Sequence, residues 1–333
     1  MDKNIEILDI GEKKQVDSQS INFSVVNAYG EDLTAKEYIT NPAIAREEEI
    51  KKLIIVLLTP DKSGLLIGKA GIGKTAIVEG LAYLIQRNEV PNALMGYRII
   101  KINSTSLLGK ISKDGKEEMA ISILVRELKS MSKVIVFIDE VHTLIGGAND
   151  GPMDLANILK PALDRGDVKA IGATTTEEYE AYVIRDRAFL RRFDRIDVLE
   201  PDHETTVRIL TGSIPRIAAK TGVNFKYTDY IIEELMSAIV EATSEYKRVY
   251  GLAAMYPDVA LSVLSQAFSN ALFDNRDHVN VLDVYNAIKN SKRIYPDAII
   301  KELNKFRVQF QKLCLDENIV LPEVKIEDIR IED

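Results

Sequence analysis

The sequence predicts an α/β fold in which a parallel sheet is covered by helices on both faces, followed by an all-helical subdomain. Two observations predict it. Short apolar runs alternate with helical periods between residues 65 and 172, which is the rhythm of βαβ units. Beyond about residue 201 the strand signals stop and helical periodicity dominates. A length of 333 residues with 46% hydrophobic content suits one large domain with a smaller second one.

Each predicted strand is a short aliphatic run, and each predicted helix has apolar residues at helical spacing. Strands are expected at residues 4–10, as a short edge strand, and at 65–67, 98–102, 134–138 and 168–172. Helices between them are expected at residues 43–58, 75–86, 117–129 and 153–165. The helical subdomain is expected to contain helices at residues 204–220, 229–245, 259–273 and 281–291.

These elements divide the chain into four parts. Residues 1–40 form an N-terminal arm, and residues 41–200 form the large α/β subdomain. Residues 201–294 form the helical subdomain. Residues 295–333 contain a C-terminal amphipathic helix, starting near residue 296, and an acidic tail.

Composition and charge limit the functional classes. The net charge is −8, which gives no general attraction for phosphate backbones and so argues against a nucleic-acid partner without excluding one. The longest apolar runs, residues 53–58 and 134–138, are far shorter than the roughly 20 residues that span a bilayer, so we expect no membrane partner. The chain start lacks the apolar core of a secretion signal. The single cysteine, Cys314, is expected to be a buried apolar residue in a cytoplasmic protein.

Residues 68–75 form a complete G-x-x-x-x-G-K-[ST] phosphate loop between a predicted strand and a predicted helix. Its glycines let backbone N–H groups surround phosphates at the positive end of the helix. Lys74 is expected to reach the β- and γ-phosphates of ATP, and the Thr75 hydroxyl is expected to bind Mg²⁺. The residues expected to bind the nucleotide here are Gly68, Ala70, Gly71, Ile72, Gly73, Lys74, Thr75 and Ala76.

Acidic and hydroxyl residues follow two later strands. Asp139 and Glu140 end the run at residues 134–138, where Asp139 would hold Mg²⁺ and Glu140 would orient or deprotonate the attacking water. With the phosphate loop, this pair indicates ATP hydrolysis. Thr174 lies two residues after the last predicted strand, where its hydroxyl would lie beside the γ-phosphate or would only form the hydrogen bonds of an ordinary turn.

Many separated runs in this order resemble the first ATPase module of the Clp family of AAA+ protein unfoldases. The similarity covers roughly residues 22–290. It is carried by residues 29–34, 41–50, 68–82, 90–91, 137–144, 157–163, 171–175 and 190–193. The resemblance implies an AAA+ P-loop NTPase fold in which the helical subdomain acts as a lid on the nucleotide.

The resemblance also implies roles for further residues. The adenine pocket would fall on Ile44 and Ala45, with Ile209 and the Pro257-Asp258 pair from the lid closing over the base. Thr174 would be the sensor of the γ-phosphate. Arg191 and Arg192 would act as arginine fingers in the site of a neighbouring subunit, which implies assembly into a ring, expected to be a hexamer. Without the resemblance, the sequence favours the interpretation that these two arginines lie on the solvent-exposed face of a helix.

Several features depart from the Clp pattern. The stretch matching the pore loop, residues 109–118, contains no aromatic residue, and Lys113 stands near the aromatic position. A lysine grips an apolar chain poorly, and Ile111 would substitute only weakly, which argues against polypeptide threading. Ala45 stands where glycine is usual. We also expect no adaptor-binding domain, no second ATPase module and no Clp-type peptidase as partner.

Three functions follow from these observations. The leading one is a Clp-like ATPase ring that remodels a bound protein partner, whose identity the sequence does not reveal. The second is a nucleotide-gated scaffold that docks a partner through the N-terminal arm or the tail from residue 299. The third is a DNA-associated loader, suggested by Lys110, Lys113 and Lys116 near the expected pore.

Overall fold

The structure is a computed structural model. It describes residues 25–107, 109–113, 116–145, 158, 168–251 and 255–325. The strand expected at residues 4–10 and the helix expected at residues 153–165 lie outside these ranges, apart from residue 158, which is helical.

The large subdomain alternates strands and helices along the chain. Its strands are β1 (Gly30–Asp32), β2 (Ser63–Ile67), β3 (Arg98–Asn103), β4 (Lys110–Lys113), β5 (Lys116–Met119), β6 (Val134–Asp139), β7 (Lys169–Thr174) and β8 (Phe193–Asp197). Its helices are α1 (Val25–Tyr29), α2 (Glu47–Leu58), α3 (Lys74–Gln86), α4 (Ala120–Ser130), α5 (Thr176–Ala181) and α6 (Arg187–Leu190).

Six of these strands form one sheet in the order β1-β3-β6-β7-β2-β8. Strand β1 runs antiparallel to β3, and every other neighbouring pair is parallel. The carboxyl ends of β2, β6 and β7 therefore lie at one edge of the sheet, where α/β proteins bind ligands. Strands β4 and β5 form a separate antiparallel hairpin.

Both faces of the sheet are buried, which explains why the central strands are continuous apolar runs. Successive side chains of a strand point to opposite faces. Leu65 and Ile67 accordingly pack in one cluster with α1 and α4. Leu66 packs in the other cluster, with α2 and α3.

The helical subdomain has one hydrophobic core. Its helices are α7 (His203–Thr221), α8 (Asp229–Ala242), α9 (Asp258–Phe273), α10 (Val281–Lys289), α11 (Pro296–Gln309) and α12 (Gln311–Asp316). Two-residue strands, β9 (Asn224–Phe225) and β10 (His278–Val279), pair in parallel beside them, an addition that the sequence analysis did not anticipate. The apolar side of α11, including Leu303 and Phe306, packs in the same core as α8 and α9. Cys314 is buried there, as predicted.

Two predicted helix starts are wrong. The helix predicted from residue 43 begins at Glu47, because Ala45 has φ +55° and a residue in the left-handed region cannot continue a right-handed helix. The helix predicted from residue 117 begins at Ala120, since Lys116–Met119 pairs with Lys110–Lys113 as β5. Strands β1 and β8 were not predicted. Within the described parts of the chain, no helix has the length and apolar character needed to cross a membrane.

Candidate nucleotide site

The phosphate loop joins the carboxyl end of β2 to the first turn of α3. Gly71 and Gly73 have φ of +74° and +101°, which glycine adopts without a steric penalty. A Cβ atom on Gly68 would lie 2.4 Å from the Val198 carbonyl oxygen, so the chain approaches too closely for any side chain there. The loop ends at Lys74, the first residue of α3, and therefore lies at the positive end of that helix.

Lys74 lies within the loop. Its Nζ donates to the carbonyl oxygens of Gly68 (2.7 Å) and Lys69 (3.1 Å). Burial lowers the pKa of the Lys74 ammonium below its usual value, and the negative charges of Asp139, Glu178 and other nearby carboxylates partly oppose this. Because the charges of these carboxylates act on the Lys74 ammonium, the lysine and the acidic residues lie in one site.

Thr75 and Asp139 lie side by side, although 64 residues separate them in the sequence. The Thr75 hydroxyl donates to Asp139 Oδ2 over 3.1 Å, and Lys101 Nζ lies 3.8 Å from the same oxygen. A hydroxyl and a carboxylate are hard oxygen ligands of the kind that Mg²⁺ takes beside nucleotide phosphates. The residues present therefore fit this cation.

Glu140 follows directly after β6 in a left-handed conformation, with φ +52° and ψ +46°. Such a conformation is uncommon for a residue other than glycine and turns the chain sharply at the strand end. The Glu140 N–H donates to Asp139 Oδ1 over 3.2 Å, and its side chain is exposed. An exposed carboxylate next to the proposed metal ligand is available to a water molecule.

Thr174 ends β7 and is buried, with 2% of its surface exposed. Its hydroxyl lies 3.2 Å from His142 Nδ1 and 3.4 Å from Glu178 Oε2. Neither His142 nor Glu178 was predicted to have a role in the site. The sequence pattern that could have identified Glu178 is the spacing Thr175-x-x-Glu178, which forms a capping box at the start of α5.

Glu178 is held in its charged form. Burial alone would raise the pKa of its carboxyl, but hydrogen bonds from Thr175 and the nearby His142 outweigh burial, so the pKa is lowered. His142 Nδ1 lies 3.1 Å from Glu178 Oε2. The hydroxyl of Thr174 therefore lies between an imidazole and a carboxylate that fix its position.

The residues expected at the adenine pocket come from both subdomains. Ile44 packs against α7, because a Cβ atom on Gly212 would lie 2.8 Å from Ile44 Cδ1. Ile209 lies three residues before Gly212 and hence on the same side of the helix, and it is buried. Pro257 is buried directly before α9. Ala45, the residue after Ile44, has φ +55°.

Arg191 and Arg192 lie at the other end of the sheet from the phosphate loop. The Ser63 N–H donates to the Arg192 carbonyl oxygen over 2.9 Å, so Arg192 lies at the amino ends of β8 and β2. Five residue steps lead from Ser63, at the start of β2, to Gly68, at the start of the phosphate loop, which is about 16 Å at the usual strand rise. Neither arginine reaches the phosphate loop of its own chain.

The expected pore loop is the β4–β5 hairpin. Ile111, which the sequence offers only as a weak substitute for the missing aromatic residue, is half-buried against the cluster that covers one face of the sheet. Lys110 pairs with Glu117 at 3.4 Å on the exposed surface. The glycine-rich stretch at residues 146–151, which the sequence suggests as a second loop near the pore, lies outside the described residues.

Comparisons with known proteins agree with this architecture. Residues 64–200 match the family described as ATPases associated with various cellular activities. The chain is 32% identical to the chaperone protein ClpB of Wolinella succinogenes over 99% of the chain and 36% of that protein. It is 42% identical to ClpB of Aquifex aeolicus over 70% of the chain and 22% of that protein. The chain thus spans about a third or less of the length of these relatives.

Solved structures of Hsp104 are also similar to the chain. The closed state of Hsp104 with ATPγS and casein matches with a TM-score of 0.70 and 30% identity, over 89% of this chain and 50% of that one. The Saccharomyces cerevisiae Hsp104 complex with ADP matches with a TM-score of 0.67 and 31% identity, over the same shares of the two chains.

Proposed function

The chain belongs to the AAA family of ATPases, and we propose that it hydrolyses ATP to remodel a bound protein partner. It is similar to Clp-type members of the family over most of its length. The observation that carries the proposal is the meeting of Lys74, Thr75, Asp139 and Glu140 at one edge of the sheet. These groups provide a phosphate cradle, a metal-binding pair and a base.

Each group has a task that its chemistry supports. The loop N–H groups and Lys74 bind the phosphates of ATP, with Lys74 leaving the carbonyl oxygens of Gly68 and Lys69 for the β- and γ-phosphates. Thr75 and Asp139 would hold Mg²⁺, and the cation would supply charge neutralisation at the phosphates. Glu140 orients the attacking water and accepts its proton, and the Thr174 hydroxyl contacts the γ-phosphate.

The site of one chain is completed by its neighbour. The negative charge that spreads over the γ-phosphate in the transition state is stabilised by a cation, and Arg191 and Arg192 are too far from their own phosphate loop to supply it. We therefore assign one of them to the site of an adjacent copy. This arrangement supports a closed ring, a hexamer as the Clp resemblance implies.

Remodelling of a protein partner is supported by the relatives. One Hsp104 structure similar to this chain was determined together with casein, which is itself a protein. In this chain the β4–β5 hairpin has no aromatic residue, and Ile111 packs inward. Remodelling by a movement of subdomains is therefore favoured over threading.

The absence of an aromatic residue from the β4–β5 hairpin also favours a second candidate function. In this function the protein is a scaffold, and the bound nucleotide controls whether a partner docks. In that case hydrolysis only resets the state. The apolar side of α11 is not the docking surface, because it is buried in the core of the helical subdomain.

The two candidates differ in how the ATPase rate depends on protein concentration. We would measure this rate together with particle mass by light scattering, for the wild type and for Glu140→Gln, Arg191→Ala and Arg192→Ala. The control is Arg87→Ala, which removes an exposed arginine paired with Glu89 on another surface. A rate that rises with assembly, and that falls in Glu140→Gln and in one arginine variant, supports the ring ATPase.

Other outcomes count against parts of the proposal. A specific rate independent of concentration would refute completion of the site by a neighbour. Tight ATP binding with negligible turnover at every concentration would favour the scaffold. Failure of the wild type to bind ATP would refute both candidates.

A further inference from the structure

Arg46 is a buried charged residue with no part in the chemistry proposed above. It lies directly before α2 with 6% of its surface exposed. Its guanidinium donates from Nη2 to the Ile72 carbonyl oxygen (3.0 Å), and from Nη1 to the Leu199 carbonyl oxygen (3.1 Å) and to Glu49 Oε1 (2.8 Å). Burying a guanidinium is costly unless such partners satisfy it, and here each partner is in place.

The contact with Ile72 orients the phosphate loop. A trans peptide is planar, so its C=O and N–H groups point in opposite directions. Because the Ile72 carbonyl points to Arg46, the N–H of Gly73 points away from Arg46. Gly73, with φ +101°, directly precedes α3 at its positive end. Arg46 thus holds the peptide whose N–H faces the side where a phosphate would bind.

The contact with Leu199 reaches the link between the two subdomains. Leu199 lies between the end of β8 at Asp197 and the start of α7 at His203. The residue before it, Val198, packs its carbonyl oxygen so closely against Gly68 that a Cβ atom there would lie 2.4 Å away. The linking segment therefore touches the phosphate loop directly at Gly68 and through Arg46 at Ile72.

The next residue, Glu200, carries the connection into the helical subdomain. Its Oε1 accepts from Arg248 Nη1 (2.7 Å) and from the Tyr256 N–H (2.7 Å), directly before Pro257. Arg248 is itself buried, donates from Nε to the Thr243 carbonyl oxygen (2.7 Å), and stacks over the Tyr256 ring at 4.1 Å. Two sets of polar contacts, joined by the backbone between Leu199 and Glu200, thus connect the phosphate loop to the lid.

We infer that Arg46 is a positioning residue that fixes the phosphate loop for nucleotide and, through Leu199 and Glu200, ties the loop to the orientation of the helical subdomain. The inference rests on the proposed function, since it concerns the same nucleotide site. A nucleotide that orders the loop would thereby favour one arrangement of the lid.

The test replaces Arg46 with lysine, which keeps the positive charge but is a point donor that cannot span the three acceptors. The matched control is Arg87→Lys, since Arg87 pairs with Glu89 on the exposed surface. Binding of a fluorescent ADP analogue and steady-state ATPase kinetics are measured for each variant. Circular dichroism and urea unfolding define conditions in which every variant is folded.

We expect Arg46→Lys to weaken ADP binding and raise KM by about tenfold or more, with kcat changing by less than about threefold. Glu49→Gln leaves both carbonyl contacts of Arg46 in place and is expected to change affinity by less than about threefold. A folded Arg46→Lys protein that binds ADP within twofold of the wild type would overturn the positioning role. Wild-type protein that binds no ADP would instead refute the proposed function.

A double-mutant cycle tests the connection to the lid. If Arg46 and Glu200 act through one set of contacts, Glu200→Gln weakens ADP binding in the wild type and does so much less in the Arg46→Lys background. If the fold-loss in ADP affinity of the double variant equals the product of the two single fold-losses, the coupling is overturned, whatever the effect of Arg46→Lys alone.

Discussion

Gly80 lies in the middle of α3, where it approaches the segment before α2. A Cβ atom at this position would lie 2.3 Å from the Ala43 Cβ, 3.1 Å from Asn41 Oδ1 and 3.1 Å from Ile50 Cδ1. The perturbation is Gly80→Ala. Two effects oppose each other, and the structure decides which of them is larger.

Helix propensity favours the substitution, since alanine stabilises a helix interior by roughly 0.5–1 kcal/mol relative to glycine. Packing opposes it. The Ala43 Cβ is fixed to the backbone and can move only with the chain, so the helix and the segment must separate by about 1 Å or more. Overpacking of this kind typically costs about 1–3 kcal/mol. The difference between the two ranges is about 0–2.5 kcal/mol, so we expect Gly80→Ala to lower the free energy of unfolding by about 1 kcal/mol.

The assay is urea unfolding followed by circular dichroism, with the m-value compared between variants. Gly212→Ala is the matched control, because its new methyl group would meet the side chain of Ile44, which can move, and we expect a change within about 1 kcal/mol. Adding Ala43→Gly removes the opposing atom and should recover most of the loss caused by Gly80→Ala, as a double-mutant cycle would show. A stabilised Gly80→Ala protein, or equal effects of Gly80→Ala with and without Ala43→Gly, would refute this reasoning.

Two further predictions concern the site. Ala45→Gly should raise the free energy of unfolding by up to about 1 kcal/mol, because Ala45 has φ +55°; urea unfolding checks this, and a destabilised variant would contradict it. Glu178→Gln should destabilise the protein at neutral pH by removing a charge that Thr175 and His142 stabilise, while glutamine still allows the capping box. Because the folded-state pKa of Glu178 is lowered, the wild-type advantage should be full above the unfolded pKa near 4.5 and disappear as the pH falls through the folded pKa, in parallel unfolding curves of the two proteins. A difference that persists unchanged in acid would show that the charge is not its source.

The elements that the sequence predicted well are those whose signal is local. The aliphatic runs became β2, β3, β6 and β7, because strands buried on both faces are apolar throughout. The phosphate loop lies between β2 and α3, as its spacing required. The start of α4 was misplaced because residues 117–119 fit a helical period as well as a hairpin, and only pairing with residues 110–113 selects the strand.

The residues of the candidate site also divide into those with a local sequence signal and those placed by contacts between distant parts of the chain. Lys74, Thr75, Asp139 and Glu140 could be read from the sequence, since their motifs are contiguous runs next to predicted strands. His142 beside Thr174, and Arg46 beside Ile72, could not, because 32 and 26 residues separate the partners. Glu178 lies only four residues after Thr174, and its capping-box spacing is a local signal that the sequence does carry.

The sequence by itself determined the alternation of strands and helices, the phosphate loop and the acidic pair, because each depends on neighbours within a few residues. Only the tertiary structure decided that Arg46 joins the loop to the link between subdomains, across 153 residues to Leu199, and that Arg191 and Arg192 lie away from their own site. The physical reason is that hydrogen bonds and packing act over a few ångströms of space, whatever the separation along the chain. Such contacts exist only once the sheet order is set.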